Sequence, residues 1–335
     1  MRFGHRAACL DHDPGPRHPE SPNRVRAIRQ ALADADSAEY VAAEPATREQ
    51  VLAVHDEDYV AEFQRFCANG GGSWDADTTA VERTWEAALA SAGLAIWSAR
   101  RAVAGDDGTR TPFSLGRPPG HHAPADDARG FCFLNNVAIA AQSVLDAGLA
   151  DRVAIVDWDI HHGNGTQDIF YDRADVYYAS IHERDSYPPS GYIHETGTGD
   201  GEGATLNIAF PAGTTHSAYL AALDEVVGPA LERFDPDVVL VSAGFDGHEY
   251  DPISQQRIST DGYTLLAERV RSIATDCGAG LGFVLEGGYD LEMLAESVRA
   301  VDAFFERERP AEDSAAVLDG AREVIDRARK QVERV

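Results

Sequence analysis

Four segments of this chain gather carboxylates, imidazoles and a phenol at spacings that could do chemistry. In VDWDIHHGN (156–164), a strand period of two puts Asp157, Asp159 and His161 on one side if extended backbone persists to residue 161. Buried together, such groups need a cation, because a lone desolvated carboxylate is costly or takes up a proton. Asp246, in SAGFDGHEYDP (242–252), supplies a third ligand and leaves a coordination position open for water, as catalytic zinc sites require. Two Asp and one His also suit iron(II). Taken singly, each Asp reads as a helix cap or turn former. The combination D-x-D-x-H with a further strand-end Asp does not.

An acid–base pair is offered by FSLGRPPGHHAPADDARGFCFLNN (113–136), where His121 and His122 follow a Pro-Pro-Gly turn. Adjacent side chains diverge, so both face one pocket only if the backbone turns, which Gly120 allows. Imidazole can take a proton from water and return it to a leaving amine near neutral pH. Each ring then needs an acceptor on its far nitrogen, and Asp157 and Asn164 are available. Alone, a His-His pair is more often structural or exposed. Tyr289 ends LGFVLEGGY (281–289), where Gly287 and Gly288 let a phenol swing over the pocket and donate to a developing oxyanion. The plain alternative is an interfacial tyrosine with a satisfied hydroxyl. Gly130 with Phe131, and Tyr187 in DSYPPSGY, are candidates for an apolar wall around an alkyl chain.

These groups sit where a doubly wound sheet would place them. Apolar runs rich in β-branched residues at Val153–Val156, Val176–Ile181, Val238–Val241 and Leu281–Leu285 predict parallel strands. Between and around them, three- and four-residue apolar spacing predicts helices at Asn23–Ala35, Asp56–Cys67, Thr79–Arg100, Asn136–Ala147, Ser217–Phe234, Gly262–Asp276, Leu291–Arg307 and Ala315–Val335. Gly70–Thr78 and Gly105–Arg110 read as loops. The alternation predicts a single α/β domain, and ligands of open α/β sheets bind beyond the carboxyl ends of the strands. Asp157, Asp159, Asp246 and Tyr289 all fall at such ends.

Composition narrows the setting. The formal charge of −27 is spread over 335 residues, with Lys330 the only lysine among 29 basic residues. Such a surface repels nucleic acid and anionic membrane, so neither is expected as a partner. The acidity is that of a halophilic-type protein in a salty cytoplasm, or of an ordinary acidic protein that attracts cationic substrates. No uninterrupted apolar stretch reaches membrane-spanning length, and Met1–Leu10 lacks a signal-peptide pattern, so a cytoplasmic location is expected. Cys9, Cys67, Cys132 and Cys277 are scattered, which predicts neither a thiolate metal site nor a disulfide framework.

The chain resembles the histone deacetylase family of the arginase–deacetylase fold, in the class II-like branch that includes acetylpolyamine amidohydrolase and acetoin-utilisation-type members. The resemblance rests on HDPGPRHPESPNR (12–24), RPPGHHA (117–123), GFCFLNNVAIAA (130–141), VDWDIHHGNGTQDIF (156–170), SAGFDGHEYDP (242–252) and EGGYD (286–290), in family order. It implies a mostly parallel sheet of about eight strands flanked by helices, with a catalytic domain over residues 1–310 and a C-terminal helix within 311–335. It further implies Asp159, His161 and Asp246 as zinc ligands, His121 and His122 as the tandem catalytic histidines, and Tyr289 as the transition-state tyrosine. Asp157 corresponds to the carboxylate behind His121, and Asn164 to the group behind His122. Gly130 and Phe131 match the substrate channel. A structural potassium site would use Asp157, Asp159, His161, Ser180 and Ile181. The substrate class implied is acetyl-lysine in proteins or a small acetylated amine. Polyamine deacetylation is one alternative, and DPISQQR from Asp251 onward lacks the acidic gatekeeper expected for it. A catalytically silent acyl-lysine binder is another, and arginase-type guanidine hydrolysis a third. For the last, Gly163, Gly244 and His248 stand where a second metal would need acids. Oligomeric state is left open.

Overall fold

The computed structural model describes residues 1–34, 38–105, 111–306 and 316–334. The expected helix ends at Ala35, Arg307, Ala315 and Val335, most of the expected loop Gly105–Arg110, and the 310/311 boundary lie outside the described residues.

In chain order the elements are β1 (Arg2–Gly4), α1 (Asn23–Asp34), β2 (Glu39–Val41), α2 (Arg48–Leu52), α3 (Glu57–Ala68), β3 (Gly71–Ser73), β4 (Thr79–Val81) and α4 (Thr84–Ala104). There follow β5 (Pro112–Ser114), α5 (Asn136–Asp146), β6 (Val153–Asp157), α6 (Asn164–Phe170), β7 (Val176–Glu183), β8 (Thr205–Phe210), α7 (His216–Ala222) and α8 (Gly228–Phe234). The last are β9 (Val238–Ala243), α9 (Thr260–Asp276), β10 (Gly280–Leu285), α10 (Leu291–Glu306) and α11 (Asp319–Val332). Eight strands form one sheet in the order β2-β1-β5-β10-β9-β6-β7-β8, every neighbouring pair parallel. This is the expected single α/β domain.

Both faces of the sheet are covered, so its strands alternate between two apolar layers rather than between core and water. Phe113, Ala154, Val156, Val241 and Phe283 face the layer that contains Val25 and Ile28 of α1, Leu266 and Val270 of α9, and Val298 of α10. Ile155, Tyr178, Leu240 and Val284 face Phe63 of α3, Ala95 and Ala99 of α4, and Ile139 and Val144 of α5. Ala321, Ile325 and Ala328 of α11 belong to the first of these layers.

The expected helix Thr79–Arg100 begins later, at Thr84, because Thr79–Val81 instead pairs antiparallel with Gly71–Ser73. The expected loop Gly70–Thr78 is therefore the first arm and tip of a hairpin. Ser217–Phe234 is helical but is interrupted by a π-turn over Leu223–Val227. Pro229, in the first turn of α8, has no N–H to donate to the carbonyl one turn back, and the wider turn absorbs that break.

The topology locates a crevice. From β6 the chain winds outward through β7 and β8, then returns to lay β9 and β10 on the other side of β6. The order reverses between β6 and β9, and such switch points open a cleft beyond the strand ends. Asp157 pairs with Ser242 in register at that place, so residues two to four further along both strands converge.

Candidate active site

Strand β6 ends at Asp157, so the extended conformation does not persist to residue 161. The convergence is achieved by side-chain-capped turns. Asp157 Oδ1 accepts the Asp159 N–H at 3.1 Å, and Asp159 Oδ1 accepts the His161 N–H at 2.9 Å. Across the switch point, Asp246 Oδ1 accepts the Ile160 N–H at 3.1 Å. Ligand atoms of Asp159, His161 and Asp246 thus lie within 4.8 Å of one another.

Their chemistry fits a divalent ion. His161 Nδ1 stands 3.2 Å from Asp159 Oδ1 and 3.1 Å from Asp246 Oδ2. Ligand atoms about 2.0–2.1 Å from a tetrahedral zinc are separated by about 3.3 Å, which matches. Burial, then repulsion from Asp159, pushes the Asp246 carboxyl up to about 7. Burial also opposes ionisation of Asp159, but His121 and His161 outweigh it and hold that carboxyl low. Burial disfavours the His161 imidazolium, yet the flanking Asp159 and Asp246 carboxylates push it up to about 10. Two buried carboxylates converging on one imidazole mark a place where positive charge is favoured, and the open edge of His161 is the only appreciable exposure among the three, 12 %. Among the described residues one such group of three metal-ligating side chains is found. A Cβ at Gly163 would meet Asp157 Oδ2 at 2.3 Å, and one at Gly244 would meet Asp159 Oδ2 at 2.1 Å, so neither position has room for an acid.

The tandem histidines are buried, their ring centroids 4.0 Å apart. His121 Nδ1 lies 3.0 Å from Asp157 Oδ2, and His122 Nδ1 lies 3.0 Å from Asn164 Oδ1. Since both Nδ1 atoms are committed, both Nε2 atoms are left for chemistry. Burial works against a proton on either ring, but the outcomes differ. Asp159, Asp157 and Glu286 push His121 up to about 10, whereas burial together with His121 and His161 holds His122 well below the usual imidazole range. Environments that separate two like groups in this way suit them to different proton-transfer roles.

Tyr289 follows β10 on a loop fixed at its backbone. Asp159 Oδ2 accepts the Gly287 N–H at 2.8 Å, and Asp251 Oδ2 accepts the N–H groups of Tyr289 at 2.6 Å and Asp290 at 3.1 Å. Arg24 Nε donates to the Gly288 carbonyl at 2.6 Å, Arg24 Nη2 donates to that of Glu286, and the guanidinium lies 4.9 Å from the Tyr289 ring centre. Burial raises the Tyr289 phenol well above its usual value despite the Arg24 charge, so it stays a proton donor. Phe131 stands edge-on to Tyr289 at 5.7 Å, and Tyr187 edge-on to His122 at 5.2 Å. Phe131 holds φ at 69°, a conformation uncommon for bulky residues and frequent at functional sites. Its neighbour Gly130 also has positive φ, and a Cβ there would lie 2.5 Å from the His122 ring. Ser180 faces Asp157 across the β6–β7 pair, with Ile181 next in line.

Arg24, Glu20, Arg117, Asp251 and Glu286 were not assigned roles from sequence. Glu20 and Arg24 lie within HDPGPRHPESPNR, and an arginine on the apolar face of α1 is the signal that could have drawn attention to them. Glu20 Oε1 and Oε2 accept from Arg117 at 2.8 and 2.5 Å, and Oε1 from Arg24 at 3.2 Å, all three side chains being fully buried.

Similarity to known proteins agrees with this geometry. The histone deacetylase domain profile matches residues 18–304. Histone deacetylase 10, chloroplastic, of Oryza sativa subsp. japonica is 38 % identical over 300 residues, covering 84 % of this chain and 68 % of that protein. Acetylpolyamine amidohydrolase 2 of Pseudomonas aeruginosa is 45 % identical over 225 residues, 66 % of this chain and 63 % of its own. The crystal structure of the HDA15 HD domain superposes with a TM-score of 0.90 at 32 % identity, covering 99 % of this chain and 96 % of that one. No helix among the described residues is long and apolar enough to cross a membrane. With a group of side chains that could hold a metal ion at the switch point of an eight-stranded parallel sheet, the chain belongs to the histone deacetylase family and is a hydrolytic deacetylase.

Proposed function

We propose that this enzyme is a zinc-dependent deacetylase acting on acetyl-lysine in proteins or on small acetylated amines. The observation that carries the reading is the pair of imidazoles, each held through Nδ1, beside a three-ligand metal set. Asp159, His161 and Asp246 would hold the ion, zinc or iron(II), which when bound supplies a Lewis acid for the amide carbonyl and makes water more acidic. A neutral His122 accepts at Nε2 the proton of the attacking water, and the His121–His122 pair returns a proton to the amine as the C–N bond breaks. Asp157 and Asn164 fix the two rings through Nδ1. Tyr289 donates its phenolic proton in a hydrogen bond to the developing oxyanion. Gly130, Phe131 and Tyr187 flank the alkyl chain and exclude water.

A potassium ion held by Asp157, Asp159, His161, Ser180 and Ile181, largely through main-chain oxygens, would stiffen the turn after β6. Residues 1–310 form the catalytic domain, with the C-terminal helix packed on it, in a cytoplasmic protein. The absence of a glutamate in DPISQQR favours acetyl-lysine over polyamines.

The test is kcat and KM on an acetyl-lysine peptide and on N-acetylputrescine, with metal-loaded and chelated enzyme. Chelation abolishes turnover and zinc restores it. Tyr289→Phe and His122→Ala each lower kcat by about 10²–10³ with little change in KM. An undiminished kcat in either variant, or no turnover on any acylated amine with metal bound, refutes the assignment.

A further inference from the structure

The histidine turn and the tyrosine loop reach the site from different strands, β5 and β10, yet they must keep one relative position to act on one atom. One buried carboxylate joins them. Glu286, fully buried directly after β10, accepts the Gly120 N–H at 2.7 Å and the His121 N–H at 3.2 Å through Oε2. Its own N–H donates to the Ala243 carbonyl on β9 at 3.1 Å, and its carbonyl accepts from Arg24. Its Oε1 is buried with no hydrogen-bond partner among the described residues.

This is an unfavourable place for an acid. Burial, with Asp157 and Asp159 nearby, pushes Glu286 up to about 7 although His121 favours its ionised form. Half of the carboxyl is left unsatisfied where hydrogen bonding is the norm. The other oxygen explains its presence. The N–H groups of Gly120 and His121 lie in a turn outside any sheet ladder, and Glu286 Oε2 accepts both.

We propose that Glu286 is a positioning residue, clamping the turn that carries His121 and His122 to the loop that carries Tyr289, so that imidazoles and phenol share one geometry. The proposal rests on the deacetylase reading of the site. A displacement of about 1 Å among reacting groups can lower a rate by about 100-fold. Glutamine at this position keeps an acceptor oxygen for both N–H groups, alanine removes it, and aspartate pulls it back by one methylene.

The experiment compares Glu286→Gln, Glu286→Ala and Glu286→Asp in the full chain with zinc bound, by steady-state kinetics and by hydrogen exchange of residues 117–123. Alanine lowers kcat by about 30-fold or more with KM within about 3-fold, while glutamine stays within about 3-fold of wild type in both. Exchange at 117–123 accelerates in the alanine variant and not in the glutamine variant. Wild-type kcat in Glu286→Ala, or a loss in Glu286→Gln as large as that in Glu286→Ala, overturns the proposal. Should the alanine variant not fold, the remaining pair decides: aspartate slows turnover by about 10-fold or more and glutamine does not, and the reverse order overturns it. If the wild-type enzyme hydrolyses no acylated amine, the functional reading fails instead. Exchange at 117–123 then still judges the clamp, and equal protection with and without the Glu286 side chain overturns it.

Discussion

Asp157 and Asn164 stand in matching places behind the two imidazoles, one a carboxyl and one an amide. The carboxylate stabilises a proton on His121, whereas the amide oxygen offers His122 only a dipole, and burial with its cationic neighbours keeps that ring neutral. Asn164→Asp would supply His122 with an anionic partner and raise its pKa by about 1–3 units. A base works only when unprotonated, so the acid limb of the kcat/KM profile moves to higher pH by a similar amount. A limb that stays in place shows that His122 is not the base. Asp157 and Asn164 could be named from sequence because their distance along the chain from His161 is short. Asp251 and Glu286 could not, since each acts through backbone N–H groups far away, 38 residues on for Asp251 and 166 residues back for Glu286.

At the scale of elements, α1 has a role that its amphipathic pattern alone does not reveal. It carries Arg24 inward, against the Tyr289 loop, and Glu20 just before it pairs with both Arg24 and Arg117. Burial resists ionisation of Glu20, but Arg117 and His12 hold its carboxyl well below the usual range. Removing one member of such a network leaves buried charge uncompensated. Glu20→Ala therefore lowers stability by about 3–5 kcal/mol, read as a fall in the urea midpoint at unchanged m. A fall below about 1 kcal/mol would show that solvent reaches the cluster. The helices were legible where apolar spacing repeats over several turns, as in α3, α5 and α9. The three-residue strands β1, β2 and β5 are too short to display a period. In β4 a pairing across the hairpin overrode a local pattern that continued into α4.

For the whole molecule, buried neutral histidines set a pH dependence. His55 donates from Nδ1 to the Ala125 carbonyl at 3.3 Å and accepts the Asn135 N–H at Nε2 at 2.9 Å, and burial lowers its pKa from 6.5 to about 4. Between those values the unfolded chain binds a proton that the folded chain does not, so this residue's contribution to stability falls as pH drops from 6.5 to 4. The stability difference between wild type and His55→Gln shrinks across that window by up to about 3 kcal/mol, and a constant difference contradicts the assignment. The charge of −27 predicts that KCl, raised from about 0.05 to 1 M, raises the thermal midpoint as self-repulsion is screened. A midpoint indifferent to salt would mean that the acidic surface does not strain the fold. The amino-acid sequence by itself determined the ligand types, the adjacency of His121 and His122 and the alternation of strand and helix, because covalent spacing and side-chain period are local properties. Only the tertiary structure decided what holds Tyr289, what clamps the histidine turn, and why glycine is required at residues 163 and 244. Those depend on β5, β10, β9 and β6 lying side by side, an order set by burying both faces of the sheet at once.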